Sequence, residues 1–376
     1  MPVDMRAKPY YLDDEAVQWV EDTIASMSLE EKIGQLFFNM GSSRTEEYLK
    51  MTVDKYHIGG IRYNPGTAAE VHEQNRILQE NSKIPLIIAC NTENGGNGAC
   101  SNGTMIGAQT KIGATGDAKY AKALGKMANT EAAAIGCNLS FAPVSDIYYN
   151  WHNPVVGLRT YGNDPQRVME MTQAYMEGAH EVPGFCCAAK HFPGDGLDDR
   201  DQHVANSVNT FSCEEWDATF GKIYANLIDN GLEAIMAGHI MLPSYTRAMN
   251  PDIKVYGLQT NTSAPWDKSF HERKLNNDCP FLPTCADGLE GAITWPNVEL
   301  ALTCVDDIFV VDEESTREGI KWMAQKHHYM IEGASATCLA ALFEDHQELK
   351  GKKVLCIITG GNIDLDKFCE ICEKDY

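Results

Sequence analysis

No run of about 18 or more apolar residues, the length a membrane-crossing helix calls for, occurs anywhere in this chain of 376 residues. Met1 to Tyr10 is polar and holds no apolar core of a secretory signal, so the chain reads as cytoplasmic and free of membrane partners. Positive charge is also scarce: 31 Lys and Arg stand against 53 Asp and Glu, a net charge of −22. That balance disfavours a nucleic acid or an anionic lipid surface as partner, because both bind by neutralising phosphates. Cysteine is not scarce, but its number, 13, is odd. Without a secretory context these residues read as reduced thiols, not as a disulfide framework. Cys369-Glu370-Ile371-Cys372 has the spacing of half a metal or redox site and lacks the other half, so a structural role is expected there and no metal.

What is present is apolar material in alternation. Hydrophobic residues make up 44% of the chain, enough for one large domain or two ordinary ones. Six strand-like runs come in turn: Gly34–Asn39, Ile58–Tyr63, Pro85–Cys90, Asn138–Ile147, Phe185–His191 and Ala234–Ile240. Helical periods separate them, as in Ala68–Asn81 and Ala118–Ala134, and Ser28 with Glu31 has capping-box spacing. Strands alternating with helices predict a parallel α/β architecture, here a (β/α) barrel with its chemistry at the C-terminal strand ends. Only six strands are found where a closed barrel has eight. The edges near 34–39 and 234–240 are then expected to lie open.

The densest chemistry follows the fifth run. Phe185-Cys186-Cys187-Ala188-Ala189 reads as a buried parallel strand that delivers Lys190 and His191 into the loop Phe192-Pro193-Gly194-Asp195-Gly196-Leu197-Asp198-Asp199-Arg200-Asp201-Gln202-His203. Asp201 and His203, two apart, suit a proton-transfer pair in which the carboxylate orients the imidazole.

This loop resembles the signature of the glycoside hydrolase family 3 catalytic barrel. Further segments resemble that family in its order: Ser26–Leu36, His57–Ile61, Asn138–Ile147, Arg159-Thr160-Tyr161-Gly162 and Met236–Ile240. The likeness runs over about residues 10–250. It implies an incomplete (β/α)8 barrel and retaining cleavage of β-glycosides, foremost β-N-acetylhexosaminides, with Asp201 and His203 as acid/base. It further implies that Arg159, Lys190 and His191 hold sugar hydroxyls, with Asp146 and Asn91 beside the substrate. Asn91-Thr92-Glu93-Asn94-Gly95-Gly96-Asn97 departs from the family's Asp-Gln-Glu-Gly-Gly-Arg, which puts the N-acetylglucosamine preference in question. Asp195 stands where the commonest motif has histidine.

After Pro243 the family's Thr/Ser-Asp segment with the nucleophile has no counterpart. Of the next aspartates, Asp252, Asp267, Asp278 and Asp287, none ends an apolar strand. From about residue 253 the chain instead resembles the threonine dehydratase and serine racemase group of pyridoxal-phosphate enzymes. The likeness lies in Val255–Gln259, Ala286-Asp287-Gly288-Leu289, Val305–Ile308, Ile331-Glu332-Gly333-Ala334-Ser335-Ala336 and Thr359-Gly360-Gly361-Asn362. It implies a smaller α/β lobe, 251–376, after the barrel part, 1–250. Thr359, Gly360 and Gly361 are then vestiges of a cofactor site. The half of that family that holds the Schiff-base lysine and the phosphate loop has no counterpart, so no cofactor is expected. The sequence therefore predicts a glycosidase acting on carbohydrate with very weak or absent turnover. The rivals are a non-catalytic sugar-binding or scaffold protein, and a dehydratase-like protein lacking its catalytic lysine.

Overall fold

The computed structural model describes residues 3–7, 10–249, 252–280 and 282–374. The chain divides into two compact units, which meet in sequence between Leu242 and Pro243. Asn250 and Pro251, at the expected junction of the two resemblances, lie outside the described residues.

The first unit is a curled parallel sheet wrapped in helices. Its strands are β1 (Phe38–Met40), β2 (Gly60–Arg62), β3 (Ile87–Cys90), β4 (Leu139–Ser140), β5 (Cys186–Phe192) and, after a short β6 (Ser207–Val208), β7 (Ala234–Ala237). They pair in the order β1-β2-β3-β4-β5-β7, every pairing parallel. β6 pairs separately with β8 (Ile240–Met241). β1 and β7 have one neighbour each, so the six-stranded sheet is a half-barrel, and Phe38, Met40 and Ile235 along its two rims are 41–46% exposed.

Helices Ala68–Asn81 and Ala118–Ala134 keep the bounds their periods predict. Local chemistry explains the first. Thr67 accepts from the Glu70 amide and Glu70 answers to the Thr67 amide, a reciprocal cap that satisfies two otherwise orphaned donors. Ser28 and Glu31 cap helix Leu29–Gly34 the same way. The first strand run, 34–39, is shortened as a result, since Gly34 closes that helix and pairing begins only at Phe38. The fourth run, 138–147, is a ladder only at Leu139–Ser140, after which the backbone leaves the sheet to build the site. Two buried clusters fill this unit, one around Tyr161, Tyr175, Met176 and Phe220 and one around Leu49, Ile61, Leu78 and Ile88.

The second unit carries a two-stranded parallel sheet, β9 (Tyr256–Thr260) with β10 (Asp307–Val311). Helices Glu313–His327 and Gly333–Phe343 accompany it. A core gathers Cys285, Ile320, Ile331, Leu339 and Ile371. The apolar run Val354–Thr359 reads as a strand but forms none. A strand needs a paired neighbour to satisfy its backbone. Here the amides of Thr359 and Gly360 turn to the Ser335 hydroxyl instead, and Leu355 and Ile357 remain 84% and 63% exposed.

Candidate active site

The C-terminal ends of β3, β4 and β5 bring five charged or ionisable side chains together. Lys190, on β5, is 3% exposed and reaches Glu93 at 2.5 Å. Arg159 grips the same carboxylate through two parallel bonds of 2.9 Å, from Nε and a terminal nitrogen. His191 sits 3.4 Å from the guanidinium on one side, and its Nδ1 lies 2.7 Å from Asp146 Oδ2 on the other. Asp146, wholly buried, also accepts the amides of His191 and Asp195 at 3.0 and 2.8 Å.

Burial of so many charges is tolerable only because they are paired and hydrogen-bonded. Burial by itself pushes the Glu93 carboxyl up, but the Arg159 and Lys190 charges overrule it and hold it at about 2. Lys190 is pulled below the usual lysine range by burial, with Glu93 opposing. Asp146 is driven up by burial and brought below its ordinary value by His191 and the two amides. Asp195 is raised, first by burial and then by the charge of Asp146.

Backbone shape sets these positions. At Gly98 an added Cβ would stand 1.5 Å from the Asn91 carbonyl oxygen, so only glycine lets the Glu93 loop fold back on β3. Gly196, at φ 112°, is held nearly as close, 1.9 Å from its added Cβ to the Ile147 carbonyl oxygen. Thr92, beside Glu93, is anchored in a buried polar cluster with Asn129, Ser140 and Tyr175.

Sequence reasoning named Arg159, Lys190, His191 and Asp146, and the structure links these four to a fifth residue it passed over, Glu93, which Arg159 and Lys190 contact directly and His191 and Asp146 reach through Arg159. The missed signal was electrostatic: a lysine at the end of a buried strand requires a buried anion, and Glu93 is the acid in the Asn-Thr-Glu-Asn turn after β3. Asn91 lies at the same strand end, its side-chain oxygen buried and without a partner among the described residues. Asp201 and His203 do form a pair, His203 Nδ1 lying 2.7 Å from Asp201 Oδ1. Their side chains are 40% and 64% exposed, and among the described residues no hydrogen bond joins either to the charged cluster. Asp252, Asp267, Asp278 and Asp287 all belong to the second unit.

In that unit the residues do not fit pyridoxal phosphate. The Thr359 hydroxyl lies 3.2 Å from Ser335 Oγ, which also takes the Thr359 and Gly360 amides, and the Glu332 carboxylate accepts the Asn362 amide beside Gly360. The motif is closed upon itself. No group of His, Cys, Asp and Glu able to hold a metal occurs among the described residues, and none of their helices is long and apolar enough to cross a membrane.

In a parallel α/β barrel framework the C-terminal strand ends, where these charges meet, are where the chemistry is carried. The chain belongs to glycosyl hydrolase family 3, whose N-terminal domain matches residues 28–254. Residues 242–360 match the family of pyridoxal-phosphate dependent enzymes. A β-N-acetylglucosaminidase/β-glucosidase of Cellulomonas fimi is 40% identical over 251 residues, covering 67% of this chain and 44% of that protein. A β-hexosaminidase of Nitrosomonas eutropha is 26% identical over 56% of this chain and 63% of its own length. The chain thus spans about half the length of these relatives. Among solved structures, a β-glucoside phosphorylase, BglX, superposes with a TM-score of 0.62 at 41% identity, over 66% of this chain and 44% of that one.

Proposed function

We propose that the first unit recognises the terminal sugar of a β-glucoside or β-N-acetylglucosaminide, with Asp201 and His203 as the general acid/base of a retaining reaction whose turnover is very weak. The observation that supports recognition best is the buried group of Glu93, Arg159, Lys190 and His191. It combines charged donors and a carboxylate acceptor within hydrogen-bond reach of one another at a strand end, an arrangement suited to adjacent sugar hydroxyls. In the dyad, Asp201 holds one ring nitrogen, leaving the other free to protonate a leaving oxygen.

Weak turnover follows from the nucleophile. Retaining hydrolysis needs a second group beneath the anomeric carbon, and the family segment that carries it has no counterpart after Pro243. Losing one member of a cooperating catalytic set removes most of the acceleration. The likeness to a β-glucoside phosphorylase supports a second reading, in which the glycosyl group passes to inorganic phosphate instead of water.

The test is release of nitrophenol from aryl β-glucoside and aryl β-N-acetylglucosaminide, with and without phosphate, beside calorimetric binding of glucose and N-acetylglucosamine. Binding with turnover near background is expected. Ordinary enzymatic rates that vanish in His203→Ala would reveal a nucleophile and overturn the weak-turnover reading. Absence of any sugar binding would overturn recognition itself.

A further inference from the structure

Between the two exposed dyad residues stands one that is buried. Gln202 is 5% exposed, and its amide nitrogen donates to Asp195 Oδ2 at 2.7 Å while its amide oxygen accepts the His239 backbone amide at 3.0 Å. A carboxylate on one side and an N–H on the other leave the amide a single orientation. Asp195, 1% exposed, is tied in turn: its other oxygen accepts Asn153 Nδ2 at 2.8 Å and the Gly196 amide at 2.7 Å, and its own amide donates to Asp146 at 2.8 Å. Asp146 is the partner of His191. A continuous chain of hydrogen bonds thus runs from the middle of the dyad loop to the charged cluster. Gly238 leaves it room, since a Cβ there would stand 2.5 Å from the Gln202 amide oxygen.

We propose that Gln202 is a positioning residue that pins the Asp201–His203 loop to Asp195, and through Asp195 to the sugar-binding cluster at Asp146 and His191. The proposal rests on the reading of that loop as the acid/base. The dyad's own bond spans two residues and survives any movement of the loop, so it cannot set where the imidazole stands. Gln202 supplies that placement. It also explains why a carboxylate suits position 195, as it accepts from three donors at once where an imidazole accepts from one.

The chemistry of the clamp allows an exchange test on the full chain. Gln202→Glu sets two carboxylates face to face, and Asp195→Asn sets an amide nitrogen against an amide nitrogen. In the double variant the amide introduced at position 195 donates to the carboxylate introduced at position 202, and that carboxylate still accepts the His239 amide. Amide hydrogen exchange over residues 199–205 is expected to accelerate at least about tenfold in each single variant and to return to within about twofold of the wild type in the double. Unchanged exchange in the single variants, or no recovery in the double, overturns the clamp. If a single variant does not fold, recovery of both fold and protection in the double supports the clamp, and a double variant that also fails to fold overturns it.

A second readout separates positioning from mere support. His203 ring resonances are expected to respond to glucose or N-acetylglucosamine in the wild type and the double variant, and not in single variants that still bind the sugar. A response in the single variants equal to the wild type reduces Gln202 to a structural role and overturns positioning. If neither sugar binds the wild type, the glycoside reading fails and the positioning role with it, while the exchange data still decide the clamp.

Discussion

The two units treat their inherited motifs in opposite ways. In the first, Lys190 is held at 3% exposure by the Glu93 carboxylate, which it shares with Arg159. In the second, Thr359 and Gly361 are exposed, and the polar atoms around them are taken up by one another through Ser335 and Glu332. Buried charge is costly unless compensated, so a buried cluster of this kind persists only where the fold holds every partner in place. A motif of neutral turn residues can persist with no such cost, and its resemblance to a cofactor site carries correspondingly less.

The sharpest way to break this comparison is to remove an anion from the first unit. Glu93→Gln leaves Lys190 and Arg159 without their shared counter-charge and should lower stability by about 3 kcal/mol, read by urea denaturation, and abolish sugar binding. A loss below about 1 kcal/mol would mean the cluster is no more constrained than the second unit's motif.

Acid probes the same contrast without a mutation. The Glu93 carboxyl is depressed from 4.5 to about 2 in the folded chain. Its contribution is therefore complete above its ordinary value and is lost as pH falls from about 4.5 toward 2, on the order of 3 kcal/mol in all. Asp195, raised by burial and by Asp146, works the other way and blunts the fall. Stability measured at pH 5 and at pH 3 should drop less in Glu93→Gln than in the wild type; parallel curves would show that Glu93 is not the group titrating.

In the second unit the corresponding change is smaller. Ser335→Ala frees two amides that lie near water, and about 1 kcal/mol is expected. The smallest effect is none: added pyridoxal phosphate should shift the melting temperature by less than about 1 °C and leave no lysine adduct in the mass spectrum. A covalent adduct would show that the second unit keeps the chemistry of its family.

Helices were the part of the fold most legible in the sequence. Ala68–Asn81 and Ala118–Ala134 announce both their period and their starts, because a helix satisfies its own backbone and capping is local. Strands were legible as apolar runs and not as ladders. Val354–Thr359 has the composition of a strand, but pairing depends on a neighbour that no local pattern reveals. The same limit hid Glu93. Lys190 and His191 stood out in a crowded loop, whereas a single glutamate after β3 gains its meaning only from the two cations that distant segments bring to it.

The charge balance of the cluster has one more consequence, for what the site accepts. Two carboxylates, Glu93 and Asp146, stand among two cations, Arg159 and Lys190, and the ionisable His191, so the charges at the floor of the site are largely met by its own members. A polyol can slip into such a lattice by trading hydroxyl bonds one for one, without importing a field. A uronate or a sugar phosphate would add an anion beside Glu93 and Asp146, with Asp195 close behind. On the proposed reading of this cluster as a sugar site, its ion pairs favour an uncharged sugar over an anionic one before any hydroxyl is recognised.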